Sequence, residues 1–487
     1  MITKPDEVAR TVSDPYRGKR GDLYLAKELR WWDGFILALA VPIYLFPDLG
    51  ASAVKLGVVA CIAVWMLSVI MGALQTNIYV ELALMFPHKS GSLPSYSQEA
   101  YKRYSPLVGP FVAWAYWLGW CVVLAINGLL VGEYLQAAAF PTADPVRFPQ
   151  IVGTVLLLAL ATIDIIGLKR ARWVRYVLGA LVLVPILIIM FGVYLNGQFS
   201  ASHLQPLGIP GGLGGWAGFT IFMYWLYLAG WSSYAFEAVA VHAPEYKDTM
   251  RDTPRALRSS AIFSVVVYSL VPLGLIATLG LSGISADTLT PFDKALKTIL
   301  GPSFGTVIVF FVIAALILAA MLSATASVRS LWQMSENGLT VTGFGMLNRA
   351  GAPWVAILFT YGFNILMIWT IGTPIWILVA SNVGYISAHI ITLGAYLLLR
   401  RDQPNAVRPI KHGPVWVYLA GVLLLVNLVA MIISSFGLAG EGAGWSAVFG
   451  PWPFFAGLGT IIVLAFGLFA WRTYMQPKAR VSAGVTP

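Results

Sequence analysis

Long apolar runs separated by short polar connections dominate this chain of 487 residues. A helix that spans a bilayer needs ~20 predominantly apolar residues, and the sequence offers twelve such runs. None of them alternates between apolar and polar positions as the strands of a membrane barrel do, which argues against a β-barrel. The predicted spans are 34–54, 57–85, 107–137, 150–167, 173–196, 216–243, 257–283, 303–333, 352–371, 373–399, 414–437 and 451–472.

Prolines and polar residues interrupt two of these runs. Span 1 contains Pro42 and Pro47, and each proline removes a helix donor and clashes with the preceding turn. Span 6 contains Gly230, Ser232 and the ionisable Glu237. In hydrocarbon, irregular backbone is tolerated only where it is buried in protein or lines a cavity, and an ionisable residue within a span is by default functional. We therefore expect a binding site at these two interruptions.

The positions of the two interruptions also predict a topology. They fall in the first and sixth spans, as expected for two inverted five-helix repeats that each open on a discontinuous helix. The predicted fold class is an all-α integral membrane protein with twelve transmembrane helices, a 5+5 inverted repeat with discontinuous helices 1 and 6, and two accessory helices. The predicted segments are an N-terminal tail 1–33, a first repeat 34–200, a second repeat 210–400, accessory spans 412–473 and a C-terminal tail 474–487.

Composition and charge placement agree with a membrane protein. Hydrophobic residues make up 58% of the chain and charged residues 11%, and the mean hydropathy of +0.77 excludes a soluble globular domain. The net charge of +10 is asymmetric, because all but four of the 31 lysines and arginines lie in the N-terminal segment, in alternate connections or at the C-terminus. The positive-inside rule then places both termini in the cytoplasm of a multi-pass plasma-membrane protein. The four exceptions are Lys55, Arg147, Lys294 and Lys297.

Other classes of function find less support. The first 30 residues are polar and lack the apolar core of a signal peptide, so span 1 is expected to direct insertion. Cys61 and Cys121 lie within apolar runs, which predicts neither a disulfide framework nor a metal site. No H-E-x-x-H or G-x-S-x-G constellation occurs, so we expect neither an enzyme nor a resident cofactor. Nucleic acid is not an expected partner, because the basic residues follow the topology.

Four ordered motifs carry a family resemblance. Phe236 and Glu237 are followed by Glu245-Tyr246-Lys247 and by R-D-T-P-R-A-L at 251–257, like the family's F-E pair followed by E-x-K-N-P-x-R-x-x-P-R-A-I. The chain resembles the amino acid-polyamine-organocation (APC) family of secondary transporters, roughly over residues 33–475. The other three motifs are 79–82 with 86–91, 109–120, and 327–329 with 335–338.

The resemblance implies a LeuT-type fold and transport by alternating access. The expected activity is ion-coupled import of an amino acid or a related amine-bearing small molecule. An ion-independent exchanger of amino acids or polyamines is the alternative. A channel is less favoured, because polar residues cluster at a mid-chain break instead of forming a continuous polar pore.

The resemblance also implies the site residues. The family's unwound stretch of span 6 falls on residues 231–236, with Trp231 in the place of the aromatic gate. The carbonyls of Trp231, Ser232 and Tyr234 are then expected to receive a substrate amine. The predicted substrate-binding residues are Val41, Pro42, Ile43, Tyr44, Tyr116, Trp117, Trp231, Ser232, Ser233, Tyr234, Phe236 and Glu237.

One departure from the family concerns the first break. Where the family commonly has a G-S-G-like run whose amides hold the substrate carboxylate, this chain has Pro42, Ile43 and Tyr44. Proline offers no amide, and the neighbouring side chains crowd the backbone. This departure predicts weaker capture of a free α-carboxylate, so an amine, an amide or a modified amino acid is the expected substrate.

The second departure concerns coupling. Many proton-coupled members carry a lysine in span 5, but residues 176–197 contain none. The coupling ion is expected to be a proton carried by Glu237, or sodium bound by Ser323 and Thr325, because sodium prefers oxygen ligands. Those two hydroxyls equally suit simple hydrogen bonds to helix carbonyls. Further protonatable residues in or near spans are Asp48, Glu133, Asp164, His242 and His389.

Two expectations concern charged residues away from the span 6 break. Asp48 is expected to face the outer vestibule. Ion pairs with a structural or gating role are expected towards the cytoplasm at Glu81, Lys89, Glu245 and Arg255.

Overall fold

Helices make up nearly all of the regular structure in the computed structural model of this chain. The structure describes residues 29–39, 41–87, 89, 92–166, 171–205, 207–208, 214–435 and 452–476, and within these residues it contains no β-strand. The predicted tails before residue 29 and after residue 476 lie outside the described residues, as do motif residues His88, Ser90 and Gly91.

In the described residues of the first half, seven α-helices are longer than one turn, and a 3₁₀ turn Val41–Leu45 lies between the first two. The last of them continues through a π-helical turn, Ile188–Gly192, into Val193–Leu195, before a 3₁₀ turn at Ala201–Leu204. The seven are α1 Trp31–Ala38, α2 Leu49–Met85, α3 Leu93–Tyr101, α4 Val108–Cys121, α5 Val123–Ala139, α6 Arg147–Ile166 and α7 Ala171–Leu187.

The second half begins with α8 Gly215–Ser233, which leads into a 3₁₀ helix Ala235–Glu245. A further 3₁₀ turn lies at Thr342–Gly345, and a π-helical turn Val463–Gly467 joins the last two helices. The remaining helices are α9 Thr249–Ser285, α10 Pro291–Leu300, α11 Pro302–Glu336, α12 Trp354–Thr370, α13 Pro374–Asp402, α14 Val415–Ser435, α15 Trp452–Ile462 and α16 Leu468–Tyr474.

Eight segments of the described chain are long and apolar enough to cross a membrane as helices. Shorter apolar helices occur at Trp31–Leu45, Ala180–Leu195 and Trp354–Thr370. The chain is therefore an all-helical, multi-pass membrane protein, while the count of twelve spans and the inverted repeat remain predictions. The eight segments are Leu49–Met85, Val108–Ala139, Arg147–Ile166, Thr249–Ser285, Pro302–Glu336, Pro374–Asp402, Val415–Ser435 and Trp452–Tyr474.

The interruption expected in span 1 is present. Helix α1 ends at Ala38 and α2 begins at Leu49, and between them the chain forms the 3₁₀ turn Val41–Leu45. Pro42 lies inside this turn, where an α-helix would have needed its missing amide hydrogen. All five residues of the turn are buried, so irregular backbone is surrounded by protein and not by lipid.

The interruption expected in span 6 takes a different form. Trp231, Ser232 and Ser233 remain α-helical, and the change of helix type comes at Tyr234, so the prediction that the chain unwinds over 231–236 is wrong for its first three residues. An α-helix satisfies its own amides, which favours its continuation in a buried position. Gly72 lets the end of α8 approach α2 closely, because a Cβ at position 72 would lie 2.8 Å from the Ser233 carbonyl oxygen.

Glycines bend two of the longest helices. Gly57 in α2 has φ 73° and ψ −174°, and Gly280 in α9 has φ 64° and ψ 171°. Only glycine adopts these angles at low cost, because it has no Cβ. The bend at Gly57 separates residues 49–56, of which 49–54 belong to predicted span 1, from the rest of α2, which is predicted span 2.

The interruptions lie in the centre of the bundle. The most extensive helix interface joins α2 to α9, and α8 contacts both α2 and α13. An apolar stretch of 18 residues within α4 and α5 is 100% buried, whereas the corresponding stretch of the last span is 22% buried. Helices α4 and α5 therefore form part of the interior, and α15 and α16 lie at the periphery.

We expect Gly57→Ala to destabilise the protein by about 1–3 kcal/mol, because alanine is strained at a positive φ with extended ψ. The check is thermal unfolding of the purified protein in detergent. Gly421→Ala is the matched control, since Gly421 lies inside α14 and nothing lies within 4 Å of its added Cβ. That substitution should leave the melting temperature unchanged or raise it slightly, and equal effects of the two would contradict the expectation.

Candidate substrate and coupling site

Glu237 lies at the centre of the site, two residues after the 3₁₀ helix begins. Its side chain is fully buried, and three hydroxyl groups donate hydrogen bonds to it. Tyr116 of α4 and Tyr385 of α13 donate to Oε1 at 3.1 and 3.2 Å, and Ser92 donates to Oε2 at 3.2 Å. Among the described residues Glu237 forms no ion pair. The carboxyl group is therefore held by neutral donors alone, an arrangement that turning of the hydroxyls can adapt to either protonation state.

The backbone of Ser92 is strained where its side chain meets Glu237. Ser92 has φ 48° and ψ −127° and is the single non-glycine residue with positive φ in the described part of the chain. Backbone in such a region costs about 1–3 kcal/mol and persists where the surroundings hold it, often at functional sites. Sequence reasoning missed Ser92, although it directly follows the family-like motif that ends at Gly91.

The Tyr44 ring of the first interruption contacts two tryptophan rings, one from α8 and one from α4. The ring centroid of Tyr44 lies 5.6 Å from that of Trp231 and 6.1 Å from that of Trp120, both in edge-to-face arrangements. The Trp231 indole donates a hydrogen bond to the carbonyl oxygen of Gly119 at 3.3 Å. The structure thus brings together Tyr44 from the first break and Trp231 from the second, as their predicted roles require.

A single hydroxyl joins the backbones of the two interruptions. Tyr268 of α9 donates to the carbonyl oxygens of Val41 at 2.9 Å and of Ser232 at 2.8 Å. Both carbonyls lie where a helix ends or changes type, which is where the usual intrahelical partner is lost. Tyr268 is fully buried, and no sequence motif pointed to it.

All twelve predicted substrate-binding residues are buried, but Trp117 lies elsewhere. Its ring contacts Trp114 at 5.0 Å and Phe359 and Phe363 of α12 at 5.4 Å each. Helical spacing alone does not tell which face of α4 turns to the break. In the structure, Trp120 lies on the face of α4 that contacts Tyr44 of the first interruption.

The remaining residues of predicted span 6 turn to neighbouring helices. The Ser233 hydroxyl hydrogen-bonds with that of Ser68 at 2.6 Å, and the Tyr234 hydroxyl donates to Asn427 of α14 at 3.0 Å. The Tyr234 carbonyl accepts a hydrogen bond from the Glu237 amide at 3.1 Å. This carbonyl, expected to receive a substrate amine, thus has a partner within the chain.

The two hydroxyls predicted to bind sodium already have partners. Ser323 hydrogen-bonds with the Tyr44 hydroxyl at 3.1 Å. Thr325 donates to the carbonyl of Met321 at 2.9 Å within its own helix. Sodium binding at this pair stays a prediction.

His389, one of the protonatable residues of the spans, lies next to the Glu237 cluster. Its Nδ1 lies 2.9 Å from the Tyr79 hydroxyl and 3.1 Å from Gln75 Oε1. Its ring packs edge-on against Tyr385, with centroids 4.7 Å apart, and against Tyr234 at 5.1 Å. The histidine thus supports the tyrosine that holds Glu237, and the i, i+4 spacing of Tyr385 and His389 on α13 was the available signal.

Asp48 does not face an outer vestibule, so that expectation is wrong. It lies between the 3₁₀ turn and α2 with 0% of its surface exposed, because the loop that follows α9 covers this end of the helix. Of the other acids, Glu133 is half-buried near the end of α5, and Asp164 accepts a hydrogen bond from Tyr361 at 2.8 Å.

A cavity of about 20 Å³ lies beside the two interruptions. It is large enough for about one water molecule. Its walls are Ala38, Val41, Ala235, Ala238, Val239, Val241, His242, Leu322 and Ala326.

Comparison with known proteins identifies the family. The profile described as "Amino acid permease" matches residues 29–466, which include both interruptions and every helix of the central bundle. The chain belongs to the amino acid permease family. This membership confirms the predicted resemblance, and it confirms that the permease is a membrane transport protein and not an enzyme.

Three relatives illustrate the range of similar permeases. The D-serine/D-alanine/glycine transporter of Escherichia coli (strain K12) is 23% identical over 381 residues, 72% of this chain and 79% of that protein. The lysine-specific permease of Lactococcus lactis subsp. cremoris (strain MG1363) is 24% identical over 72% of this chain and 73% of its own length. The polyamine transporter of Oryza sativa subsp. japonica is 26% identical over 72% of this chain and 63% of its own length.

An ion-pair network holds the end of α2 in the permease. Glu81 is 1% exposed and pairs with Arg400 at 2.6 Å, with Arg408 at 3.0 Å and with His412 at 3.1 Å. A buried carboxylate is tolerated where it is fully paired and hydrogen-bonded. The network joins α2, α13 and the connection to α14, as the predicted structural role of Glu81 requires.

Two more of the four predicted pairing residues also form ion pairs. Lys89 pairs with Glu99, and Glu245 pairs with Arg329 of α11. The fourth prediction is wrong, because Arg255 is exposed and takes part in none of the ion pairs within the described residues. Arg255 lies on the face of α9 that turns to solvent, where a pair adds little stability.

The stretch before α1 is bonded to the end of the second interruption. Leu29 donates its amide to the carbonyl of Glu245 at 3.1 Å and accepts from the amide of Lys247 at 2.8 Å, which makes an isolated parallel bridge to Tyr246. Gly34 of α1 lies directly against Tyr246, since a Cβ there would be 2.1 Å from the tyrosine oxygen. The beginning of α1 is therefore fastened to the end of the 3₁₀ helix that follows α8.

Glu245 is held in its ionised form by its neighbours. Burial alone would raise the pKa of this carboxyl, but the hydrogen bond from His242 and the charges of His242 and Arg329 outweigh burial and lower the pKa to about 2. Glu245 lies beyond predicted span 6, at the end of the 3₁₀ helix. Its interaction with Arg329 therefore stabilises the folded structure wherever the carboxyl is ionised.

We expect Tyr268→Phe to destabilise the permease by about 1–3 kcal/mol, because two buried carbonyl oxygens lose their donor. Thermal unfolding in detergent measures the loss. Tyr418→Phe provides the control, since Tyr418 is 77% exposed on α14 and should change stability by less than about 0.5 kcal/mol. A Tyr268→Phe protein as stable as the control would show that the bridge contributes nothing.

We expect Glu245→Gln to lower stability by about 1–2 kcal/mol near neutral pH, because Arg329 loses its charged partner and is itself partly exposed. A depressed folded-state pKa stabilises above the unfolded value and loses that effect as the pH falls. The difference from wild type should therefore be constant above about pH 5 and shrink towards pH 2. Melting temperatures across this range test it, and a difference that grows on acidification would contradict the assignment.

Proposed function

We propose that this permease is a secondary transporter that imports an amino acid or related amine across the plasma membrane by alternating access, coupled to an ion gradient. In this proposal twelve helices span the membrane, both termini are cytoplasmic, and two inverted five-helix repeats open on the interrupted spans. Eight of the twelve proposed spans are the long apolar helices described above. The other four are the shorter helices α1, α7, α8 and α12. Interrupted spans that meet in the interior support this arrangement.

The substrate is expected to be recognised through its amine. The three relatives described above are named for D-serine, D-alanine and glycine, for lysine, and for polyamines, and the group common to all of these molecules is an amine. In this chain the interruptions offer carbonyl oxygens and the Glu237 carboxyl, which are acceptors for an ammonium group. Pro42 removes an amide that would have held a carboxylate, which supports the amine as the main point of recognition.

Closure over the substrate is assigned to Tyr44, Trp120 and Trp231. The ring of Tyr44 contacts those of Trp120 and Trp231, and all three rings are buried. Admission of substrate therefore requires these rings to separate. Ring separation exposes the last turn of α8 and the 3₁₀ turn together, because Tyr44 and Trp231 belong to the two interruptions.

The observation that carries the coupling proposal is the environment of Glu237. It is an ionisable group in the interior, with neutral hydroxyl donors from α4 and α13 and from the start of α3. Uptake or release of a proton, or the arrival of a substrate ammonium, changes the number of hydrogen bonds it accepts. Such a change alters the packing of three helices at once, which is what a transporter needs to link an ion to a conformational change.

Glu237→Gln should reduce ion-driven accumulation in proteoliposomes on the order of tenfold or more, while substrate binding decreases much less. The amide retains the size and accepting oxygen of the carboxyl but does not exchange a proton in this range. Accumulation of radiolabelled substrate under an imposed gradient measures coupling, and a thermal-shift titration of the same variant measures binding.

Tyr116→Phe is a suitable companion variant, because it removes one donor to Glu237 and leaves the carboxyl in place. It should retain gradient-driven accumulation, with a changed substrate affinity. Equal losses of binding and accumulation in Glu237→Gln would contradict the coupling role. The exchanger would be favoured if Glu237→Gln takes up substrate as well as wild type does. That uptake would have to require substrate loaded inside the vesicles and show no response to any ion gradient.

A further inference from the structure

One face of α9 is exposed along the first half of the helix and changes from basic to apolar along that length. Arg251, Arg255 and Arg258 are exposed on it, and Ile262 and Val266 follow at 68% and 44% exposure. The spacing of three or four residues places all five on one side of the helix. Because the chain spans a membrane, the apolar part of this face contacts lipid tails, and the arginines near the beginning of α9 lie at the level of the headgroups.

Two of these arginines keep donors that the protein does not occupy. Arg251 has Asp248 as an ion-pair partner. Arg255 forms no ion pair and no side-chain hydrogen bond within the described residues. Arg258 donates from Nε to Oδ1 of Asn77 in α2 at 3.0 Å, and its two terminal nitrogens have no partner in that part of the chain. Both Arg255 and Arg258 can therefore donate to an anion from outside the chain.

A chain of hydrogen bonds that begins at Glu81 orients Arg258. Asn77 lies between Arg258 and His412, since its Nδ2 is 2.9 Å from His412 Nε2. His412 in turn lies 3.1 Å from Glu81 Oε2 through its Nδ1, and it donates its backbone amide to the same oxygen at 2.9 Å. Its ring packs against that of Trp416 with centroids 5.0 Å apart, and tryptophan is enriched at membrane–water interfaces. Arg258 is thus held in place by the structure around it.

We propose that Arg255 and Arg258 bind the phosphate of an anionic phospholipid at this end of α9. A guanidinium group presents its donors in a fork that matches the oxygens of a phosphate. Ile262 begins the apolar part of the same face about 6 Å further along the helix axis. The acyl chains of a lipid whose phosphate meets the arginines therefore lie along Ile262 and Val266. A soluble anion would leave that apolar part unused, which favours a lipid as the occupant.

The charges at this end of the bundle favour an anionic lipid over a zwitterionic one. Lys247 and Lys411 are also exposed there. The acids are buried or already paired: Glu81 lies in its ion-pair network, Asp248 has its own partner, and Asp252 is buried. An excess of positive charge attracts a headgroup with a net negative charge. The ammonium of a zwitterionic headgroup would be repelled by the same excess.

This inference goes beyond the proposed transport function, because it concerns a partner of the helix bundle and not the substrate. In the proposed topology this end of α9 is cytoplasmic, on the side where the membrane surface is negative. Arg258 is one hydrogen bond away from α2. A phosphate that holds this arginine therefore also strengthens the contact between α2 and α9, the most extensive helix interface of the described structure.

The test is thermal unfolding of the purified permease in a neutral detergent, with phosphatidylglycerol or phosphatidylcholine added at equal mole fraction. Wild type should show a saturable rise in melting temperature with phosphatidylglycerol, a much smaller rise with phosphatidylcholine, and a weaker effect at high salt. Arg255→Gln should weaken the apparent affinity for phosphatidylglycerol by about fivefold, and the double variant Arg255→Gln/Arg258→Gln by about twentyfold or more. Arg349→Gln is the matched control, since Arg349 is exposed on the connection before α12 and should retain the full response.

Arg255→Gln keeps the test decisive if the double variant does not fold, because Arg255 has no partner to lose within the described residues. Equal rises with both lipids, variants that keep the wild-type affinity, or an equal loss in Arg349→Gln would overturn the site. Glycerol 3-phosphate supplies the headgroup phosphate without acyl chains and should have no effect, and a response equal to that of the lipid would overturn the choice of a lipid.

The amine response, measured in phosphatidylcholine alone, separates this inference from the proposed function. Stabilisation by an amine without any effect of phosphatidylglycerol would leave amino acid transport standing and overturn the lipid site. Stabilisation by phosphatidylglycerol without a response to any amine would support the lipid site and contradict the proposed function.

Discussion

The Tyr268 hydroxyl is the contact on which the arrangement of the interior depends. Two spans are interrupted in the centre of the bundle, and backbone carbonyls at each interruption lie where the chain leaves the regular α-helix. In a bilayer those groups have no water to bond with, so a donor must come from the protein. Tyr268 brings that donor from α9, the helix with the most extensive contact to α2. Because one hydroxyl serves both carbonyls, the two interruptions are held at a fixed separation.

The interior then contains two carboxylates in contrasting surroundings. Glu237 has donors from three separate segments, whereas the side chain of Asp48 makes no hydrogen bond to the helix that begins directly after it. The hydroxyl groups around Glu237 supply the hydrogen bonds that its buried carboxylate requires.

Much of this arrangement was predictable from the sequence, because local chemistry fixes it. Pro42 forbids a regular helix, and an acid such as Glu237 within an apolar run needs interior partners. The partners themselves were not predictable. Ser92 and Tyr385 lie 145 and 148 positions from Glu237 along the chain, and a single sequence gives no distance between remote residues. The different surroundings of Trp117 and Trp120 were not predictable for another reason: helical periodicity gives the angle between two side chains but not the direction in which the whole helix faces.

The short bridge between Leu29 and Tyr246 makes the beginning of α1 and the end of the 3₁₀ helix a single mechanical body. Two peptide hydrogen bonds and the close contact of Gly34 with Tyr246 transmit displacement between them. A displacement of the backbone at Leu29 is therefore transmitted to the end of the second interruption as well as to α1, although the two lie more than 200 residues apart along the chain.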